Sequence, residues 1–119
     1  MTQEKFDELV FTELTYIENL LTSKGREYTG RDKDRLIAFK HAAALNKENP
    51  QRALLGMLSK HIVSIYQMCE PERATAYKLE TWGEKITDAI NYLLLLLAIV
   101  KEQHDEEYTN TDPKPRRDL

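Results

Sequence analysis

Cysteine, glycine and proline are scarce in this chain of 119 residues. Cys69 is the only cysteine, which excludes an intramolecular disulfide and a cysteine metal cluster and fits a reducing cytoplasm. Glycine occurs only four times, and no segment alternates steadily between polar and apolar residues, so extensive β-structure is not expected. The longest strongly apolar run, residues 92–100, is too short to cross a bilayer. The N-terminus lacks the basic start and apolar run of a signal peptide. We therefore expect a cytoplasmic protein with no membrane partner.

Charge and size restrict the classes of partner and architecture. The formal net charge of -3 argues against bulk DNA or RNA as the main partner. The hydrophobic share of 41% is ordinary for a soluble domain, and the length suffices for one modest core. We predict a single helical domain over residues 1–108. The segment 109–119 has two prolines and mixed charges and is predicted to be a disordered tail.

Apolar residues recur at helical spacing in four segments, so the predicted fold class is all-α, a compact and oligomeric bundle of four to five helices. Gly25 is a plausible stop signal for the first helix, and Pro50 suits the first turn of the third. A break in the fourth helix near Gly83 is left open. The predicted helices cover residues 3–23, 34–46, 50–69 and a last segment from between 72 and 78 to about 106. We expect the first, third and fourth helices to be antiparallel neighbours.

The fourth predicted helix contains polar residues within an otherwise apolar sequence. Glu84 and Asp88 are four residues apart and Asn91 follows three later, so the three share one face of the helix. Half-buried acids are costly unless they are paired, hydrogen-bonded or bound to a metal. This face is therefore expected to meet a basic partner, a cation or a ligand.

The third predicted helix has His61 in its apolar stripe, with Lys60 and Ser64 on the adjacent flank. In one interpretation His61 is a core histidine hydrogen-bonded to Asp88 or to a backbone carbonyl, and Lys60 is solvated. In the other, Lys60, His61 and Ser64 bind an anionic ligand, with Glu84 and Asp88 opposite. Two inward polar faces on neighbouring helices favour the ligand.

Basic residues also gather in and around the connector between the first two helices, from Lys24 to Lys40, with Tyr28 among them. Arg26 and Arg31 offer charge for phosphate, and a tyrosine ring offers a surface on which a base can stack. This composition predicts a nucleotide site. A solvated charged loop is an equal alternative, because acidic residues are interspersed with the basic ones.

Four short motifs occur in a specific order. They are Lys24-Gly25-x-x-Tyr28, Phe39 with Ala42-Ala43, Lys60-His61-x-x-Ser64-Ile65, and Glu84-Lys85-x-x-Asp88-x-x-Asn91-Tyr92-x-x-Leu95-Leu96. The order and spacing of these motifs, which fall between positions 15 and 100, resemble those of the nucleotide-modification-associated domain of small bacteriophage proteins. They are also distantly similar to those of phage dATP/dGTP diphosphohydrolases and of all-α MazG-like pyrophosphohydrolases. The resemblance implies a helical, oligomeric protein that handles nucleotides or nucleotide-derived signals.

The sequence departs from the metal-binding pattern that the resemblance implies for those hydrolases, a Glu-Glu-x-x-Glu motif on one helix and Glu-x-x-Asp on the next. The third helix has no acid between Pro50 and Glu70, and three residues rather than two separate Glu84 from Asp88. Magnesium needs carboxylates to compete with water, and a lysine and a histidine nearby repel it. Residue types therefore favour binding over hydrolysis. The predicted ligand-binding residues, with no catalytic residue, no metal ligand and no cofactor, are Lys24, Arg26, Tyr28, Arg31, Lys60, His61, Ser64, Glu84, Asp88 and Asn91.

The predicted function is that of a phage-type, non-catalytic nucleotide-binding protein that sequesters a nucleotide or a cyclic nucleotide immune signal in the cytoplasm of the infected host. The alternative is a nucleoside triphosphate pyrophosphohydrolase with an altered magnesium site, to which Glu13 or Glu18 contributes. A purely structural interaction module is a third class. The apolar surplus of residues 93–100 predicts a homo-oligomer, a dimer or a multiple of dimers, that shares the fourth or the first helix.

Overall fold

A computed structural model describes residues 1–29 and 34–108 of the chain, with side chains for 1–23 and 34–106. These residues form four α-helices and contain no strand, which confirms the all-α bundle. None of the helices in this part of the chain has the length and apolar character needed to span a membrane. The helices are α1 (Gln3–Thr29), α2 (Ile37–Asn46), α3 (Pro50–Met68) and α4 (Leu79–Tyr108). Arg31 and the predicted tail 109–119 lie outside the described residues.

Local signals explain where α2 and α3 begin and end. Asp34 accepts the backbone N–H of Leu36 at 3.0 Å in a turn, which delays the start of α2 to Ile37. α2 ends at Asn46, and the capping residue Lys47 adopts a left-handed conformation with φ of 54°. Asn49 then caps α3 by accepting the backbone N–H of Arg52 at 2.9 Å. Side chains close in sequence thus set the boundaries of the two middle helices.

Two glycines that the sequence offered as possible breaks are helical. The predicted end of α1 at residue 23 is wrong, because the helix continues through Gly25 to Thr29. α4 is likewise continuous across Gly83, and a Cβ at that position would meet nothing within 4 Å. A single glycine inside a helix costs only about 1 kcal/mol relative to alanine. Neither glycine therefore suffices to end a long helix whose flanking residues favour helical structure.

The core lies mainly between α3 and α4, which pack antiparallel as predicted. Gln51 and Gln103 exchange amide hydrogen bonds at one end of the pair, and His61 lies beside Asp88 further along it. Leu54 is fully buried between these contacts. α2 packs on α3. The buried cluster comprises Leu36, Phe39, Leu54, Leu58, Ala89 and Ile99.

α1 lies along α4 in the same direction, so the predicted antiparallel arrangement of α1 and α4 is wrong. Glu13 accepts a hydrogen bond from the Thr87 hydroxyl, and further along α1 Leu21 shares a groove with Asn91 and Leu95 of α4. Short connections favour helices of alternating direction. Here the connector and α2 separate α1 from α3, and that constraint does not apply.

Candidate functional site

A groove of about 470 Å³ lies where all four helices meet, and we call it the central groove. Most of its lining is apolar, and its polar side chains are few. This volume and this mixture are typical of sites for small organic ligands. The apolar lining comprises Leu20, Leu21, Ile37, Ala38, Phe39, Met57 and Leu95. The polar and aromatic-polar lining comprises Arg35, His61, Asp88, Asn91 and Tyr92.

His61 and Asp88 face each other across the α3–α4 pair. His61 Nδ1 lies 3.8 Å from Asp88 Oδ2, and the side chains are 24% and 46% exposed. This distance suits an ion pair when the imidazole is protonated, but it is too long for a hydrogen bond. The predicted proximity is confirmed and the predicted hydrogen bond is wrong. The imidazole is positioned instead by the Tyr92 ring, whose centroid lies 5.2 Å away at an interplanar angle of 42°.

Asn91 presents an unsatisfied acceptor at the central groove. Its Oδ1 atom is buried and has no hydrogen-bond partner among the residues that the structure describes. A buried carbonyl oxygen without a donor costs about 1–3 kcal/mol. Native proteins contain few such groups, and each one needs an explanation. The oxygen itself has almost no accessible surface, so a ligand in the groove would supply the missing N–H or O–H donor only after the neighbouring side chains shift.

A second groove of about 510 Å³ lies between α1 and α4, and we call it the acidic groove. Its carboxylates are Glu13, Glu80, Glu84 and Asp88. Glu13 is engaged there by the Thr87 hydroxyl. Asp88 lines both grooves, whereas Glu84 lines only the acidic one of the two. Among residues 1–23 and 34–106, no three or more His, Cys, Asp or Glu side chains are arranged to hold a metal ion.

The structure brings together three of the ten predicted ligand-binding residues, His61, Asp88 and Asn91. Lys60 is exposed and, like Ser64, does not line the central groove. Lys60 precedes His61 by one residue, which is about 100° of helical rotation, enough to turn its side chain away from the groove that His61 lines. Glu84 is placed in the acidic groove, so the single polar face predicted on α4 is divided between two grooves. Four predicted residues, Lys24, Arg26, Tyr28 and Arg31, have side chains outside the described residues.

Sequence reasoning missed two of the polar and aromatic-polar residues that line the central groove, Arg35 and Tyr92. Arg35 belongs to the basic cluster that the sequence shows, but nothing local distinguishes it from Lys40 in that cluster. Tyr92 directly follows Asn91, and the motif that contains both residues could have predicted it as a site residue.

Lys40 has a structural role that its sequence neighbourhood does not reveal. Its ammonium group lies 2.7 Å from carboxylate oxygens of both Asp34 and Glu102. The hydrogen bond from Lys40, with one from the Leu36 N–H, lowers the pKa of Asp34. The same hydrogen bonds with Asp34 and Glu102 raise the pKa of Lys40. Lys40 therefore joins the start of α2 to the end of α4.

Comparison with protein-family models, with curated proteins and with solved structures finds no match to this chain.

Proposed function

We propose that this protein binds a nucleotide or a nucleotide-derived anion in the central groove without hydrolysing it. The observation that carries the proposal is the buried, unpartnered Oδ1 of Asn91, a residue that lines a mostly apolar groove. Nucleobases combine a flat apolar surface with N–H donors at their edges. A base therefore complements both the walls of this groove and its unsatisfied acceptor.

The lining residues allow a division of roles. The base packs between the apolar side chains of α1, such as Leu20, and the ring of Tyr92, and it donates a hydrogen bond to Asn91. Arg35 and His61 are the cationic or potentially cationic groups at the groove, and they contact the phosphates. Asp88 lies beside His61 and lines the same groove.

Residues of the connector between α1 and α2 provide additional contacts to the phosphates and the base. Lys24, Arg26 and Arg31 supply charge, and Tyr28 supplies a stacking surface, as the family resemblance implies. Lys60 and Ser64 are not included, because the geometry of α3 places them away from the central groove.

The proposed biological role is sequestration of a nucleotide or a cyclic nucleotide immune signal by a phage protein in the host cytoplasm. A protein that binds such a signal without turnover lowers its free concentration stoichiometrically. We also propose that the protein acts as a homo-oligomer, a dimer or a multiple of dimers, because large apolar side chains remain exposed on all four helices.

The alternative function is a nucleoside triphosphate pyrophosphohydrolase. The observation in its favour is that Glu13, which the sequence suggested as a substitute ligand, lines the acidic groove with Glu84 and Asp88. Carboxylate oxygens are the ligands that magnesium takes. The arrangement does not fit the ion as it stands, because in the part of the chain with described side chains no three such groups converge. We therefore derive no hydrolytic step from these residues.

Isothermal titration calorimetry tests the proposal. The wild-type protein is titrated with a panel of nucleoside mono- and triphosphates and cyclic mono- and dinucleotides, with magnesium and with EDTA. We expect at least one member to bind equally well in both buffers and to be recovered intact. Binding abolished by EDTA, or magnesium-dependent release of pyrophosphate, supports the hydrolase. No binding to any member contradicts both functions and leaves the interaction module.

Matched variants then locate the site. His61→Ala removes a groove-lining imidazole, whereas His41→Ala removes an exposed imidazole on α2. Loss of a charge-assisted hydrogen bond of about 1.5–3 kcal/mol weakens binding by roughly 10- to 150-fold. We expect this loss for His61→Ala and no change for His41→Ala. Equal effects of the two variants would place the ligand elsewhere.

A further inference from the structure

One side of the α3–α4 pair is an exposed apolar surface, which we call the two-helix face. Its side chains are large and between 44% and 77% exposed in the single chain. They belong to two helices that already bury their opposite sides in the core and grooves. On α3 the face comprises Leu55, Ile62 and Tyr66, and on α4 it comprises Ile86, Leu93 and Leu97.

The spacing of these residues is that of a helix-packing seam. On α3, Leu55 and Ile62 are seven residues apart, and Tyr66 follows after four more. On α4, Ile86 and Leu93 are also seven apart, and Leu97 follows after four. Steps of seven and four keep side chains on one stripe of a helix and are the pattern of helices that pack side by side along their lengths.

The two stripes lie on the same side of the pair. On each helix the stripe is rotated by about 100–140° in the same sense from the residues at the shared interface, such as His61 on α3 and Tyr92 on α4. Because α3 and α4 are antiparallel, equal rotations in the same sense lead to the same side. The central groove, lined by Asn91 and Leu95, opens on the other side.

The two-helix face carries no charge along its length. Lys60 is the only Lys, Arg, Asp or Glu between Arg52 and Glu70, and it lies about 140° around α3 from Leu55. Between Lys85 and Lys101 the only such residue is Asp88, and it lines the grooves.

The rim also does not suit an anionic membrane. Two of the three basic residues that flank it, Arg52 and Lys101, each have an acidic neighbour, Glu48 at 3.8 Å and Asp105 at 3.7 Å respectively. A lipid surface would favour unpaired basic residues at the edge of the apolar face.

The area of the two-helix face suits the apolar centre of a dimer interface. Its six side chains span residues 55–66 of α3 and 86–97 of α4, so the face is about 17 Å long, and two packed helices are about 20 Å wide. The projected area is therefore about 330 Å², and the polar residues around the face supply the rest of the roughly 800 Å² that each partner buries in a stable complex.

We propose that the two-helix face is the interface of a homodimer in which α3 and α4 of one copy pack on α3 and α4 of a second copy as a four-helix bundle. A second copy supplies what the face requires, namely two apolar stripes that run side by side with the same spacing and no charge. A twofold axis allows the same surface on both copies to pack against itself. This inference refines the homo-oligomer of the proposed function and depends on no property of the ligand. A failed nucleotide titration would leave it unaffected.

Light scattering coupled to size-exclusion chromatography tests the interface. At tens of micromolar, the wild-type mass should be twice 13.9 kDa or an even multiple of it. Leu93→Glu places a charge in the middle of the face and should weaken the dimer by at least 100-fold, giving a monomer. Tyr66→Lys, at a position 77% exposed in the single chain, should do the same without affecting the fold. Leu45→Glu, on the 85% exposed side chain near the end of α2, is the matched control and should remain dimeric.

Three results would overturn the proposal. The first is a wild-type monomer at 100 micromolar. The second is an oligomer that survives both Leu93→Glu and Tyr66→Lys but is lost in Phe11→Glu, which would assign the interface to the exposed side of α1. The third is a monomer that co-sediments with phosphatidylglycerol vesicles, which would assign the face to a membrane surface. Circular dichroism of each variant verifies that helicity is retained.

Discussion

Replacing Asn91 with leucine should make the protein more stable and abolish ligand binding. The two side chains are similar in size and shape, so the substitution exchanges a polar end for an apolar one. The buried Oδ1 of Asn91 has no donor in the described structure, so leucine removes an unsatisfied acceptor. It also extends the apolar lining of the central groove next to Leu95.

The expected gain follows from the cost of an unsatisfied buried oxygen. That cost is about 1–3 kcal/mol, and the lower end applies because the side chain as a whole is only half-buried. Leucine also has a higher helix propensity than asparagine, by up to about 0.5 kcal/mol. We therefore expect the free energy of unfolding to rise by about 1–1.5 kcal/mol in total.

A control substitution separates the two contributions. Asn19 is exposed within α1, so Asn19→Leu gains the helix propensity without changing a buried acceptor. Urea unfolding of both variants, followed by circular dichroism, gives the two free energies. The gain in the free energy of unfolding for Asn91→Leu, minus the gain for Asn19→Leu, measures the contribution of the buried oxygen. The oxygen has a partner in solution if Asn91→Leu is destabilising or gains no more than Asn19→Leu.

The same variant relates stability to function. The proposed ligand donates a hydrogen bond to Asn91, which leucine cannot accept, so calorimetry should detect binding at least about tenfold weaker. A variant that is more stable and binds less is the pattern expected of a functional residue that is unfavourable for folding. Unchanged affinity in the stabilised variant would show that Asn91 does not contact the ligand.

Three further predictions concern the core and the ion pairs. Leu54→Ala, at the fully buried centre of the α3–α4 interface, should lower the free energy of unfolding by about 2–5 kcal/mol in urea titration, whereas Leu45→Ala at an exposed position should change it little. Lys40→Gln should cost less than about 1 kcal/mol at pH 7, because the ion pairs that it removes are partly exposed. The interaction with Lys40 lowers the pKa of Asp34, so its stabilisation is present above the unfolded-state pKa of about 3.9 and is lost as the pH falls below it. The difference in the free energy of unfolding between wild type and Lys40→Gln should therefore shrink as the pH falls from 5 to 2. A difference that grows over this range would contradict the assignment. Asp88→Ala should cost less than about 1 kcal/mol, because no hydrogen bond joins Asp88 to His61, and a larger loss would indicate a direct contact in solution.

Helical periodicity is a local property, and the sequence was sufficient for what depends on it. The four helices, the start of α3 at Pro50 and the inward positions of His61 and Asn91 follow from spacing and capping within a few residues. The same spacing placed Glu84 and Asp88 on one face of α4. Each of these features is decided by groups within one or two helical turns.

Only the tertiary structure decided which surfaces these faces meet. The position of α1 divides the polar face of α4, so that Asn91 lines the central groove and Glu84 the acidic one. Packing brings Arg35 to the groove and pairs Lys40 with Glu102 from the far end of the chain, although the sequence presents both residues as members of one basic cluster. The direction of α1 along α4 was also decided by long-range contacts. Spacing determines the face of a helix on which a side chain lies, but the partner of that face depends on how distant helices share one core.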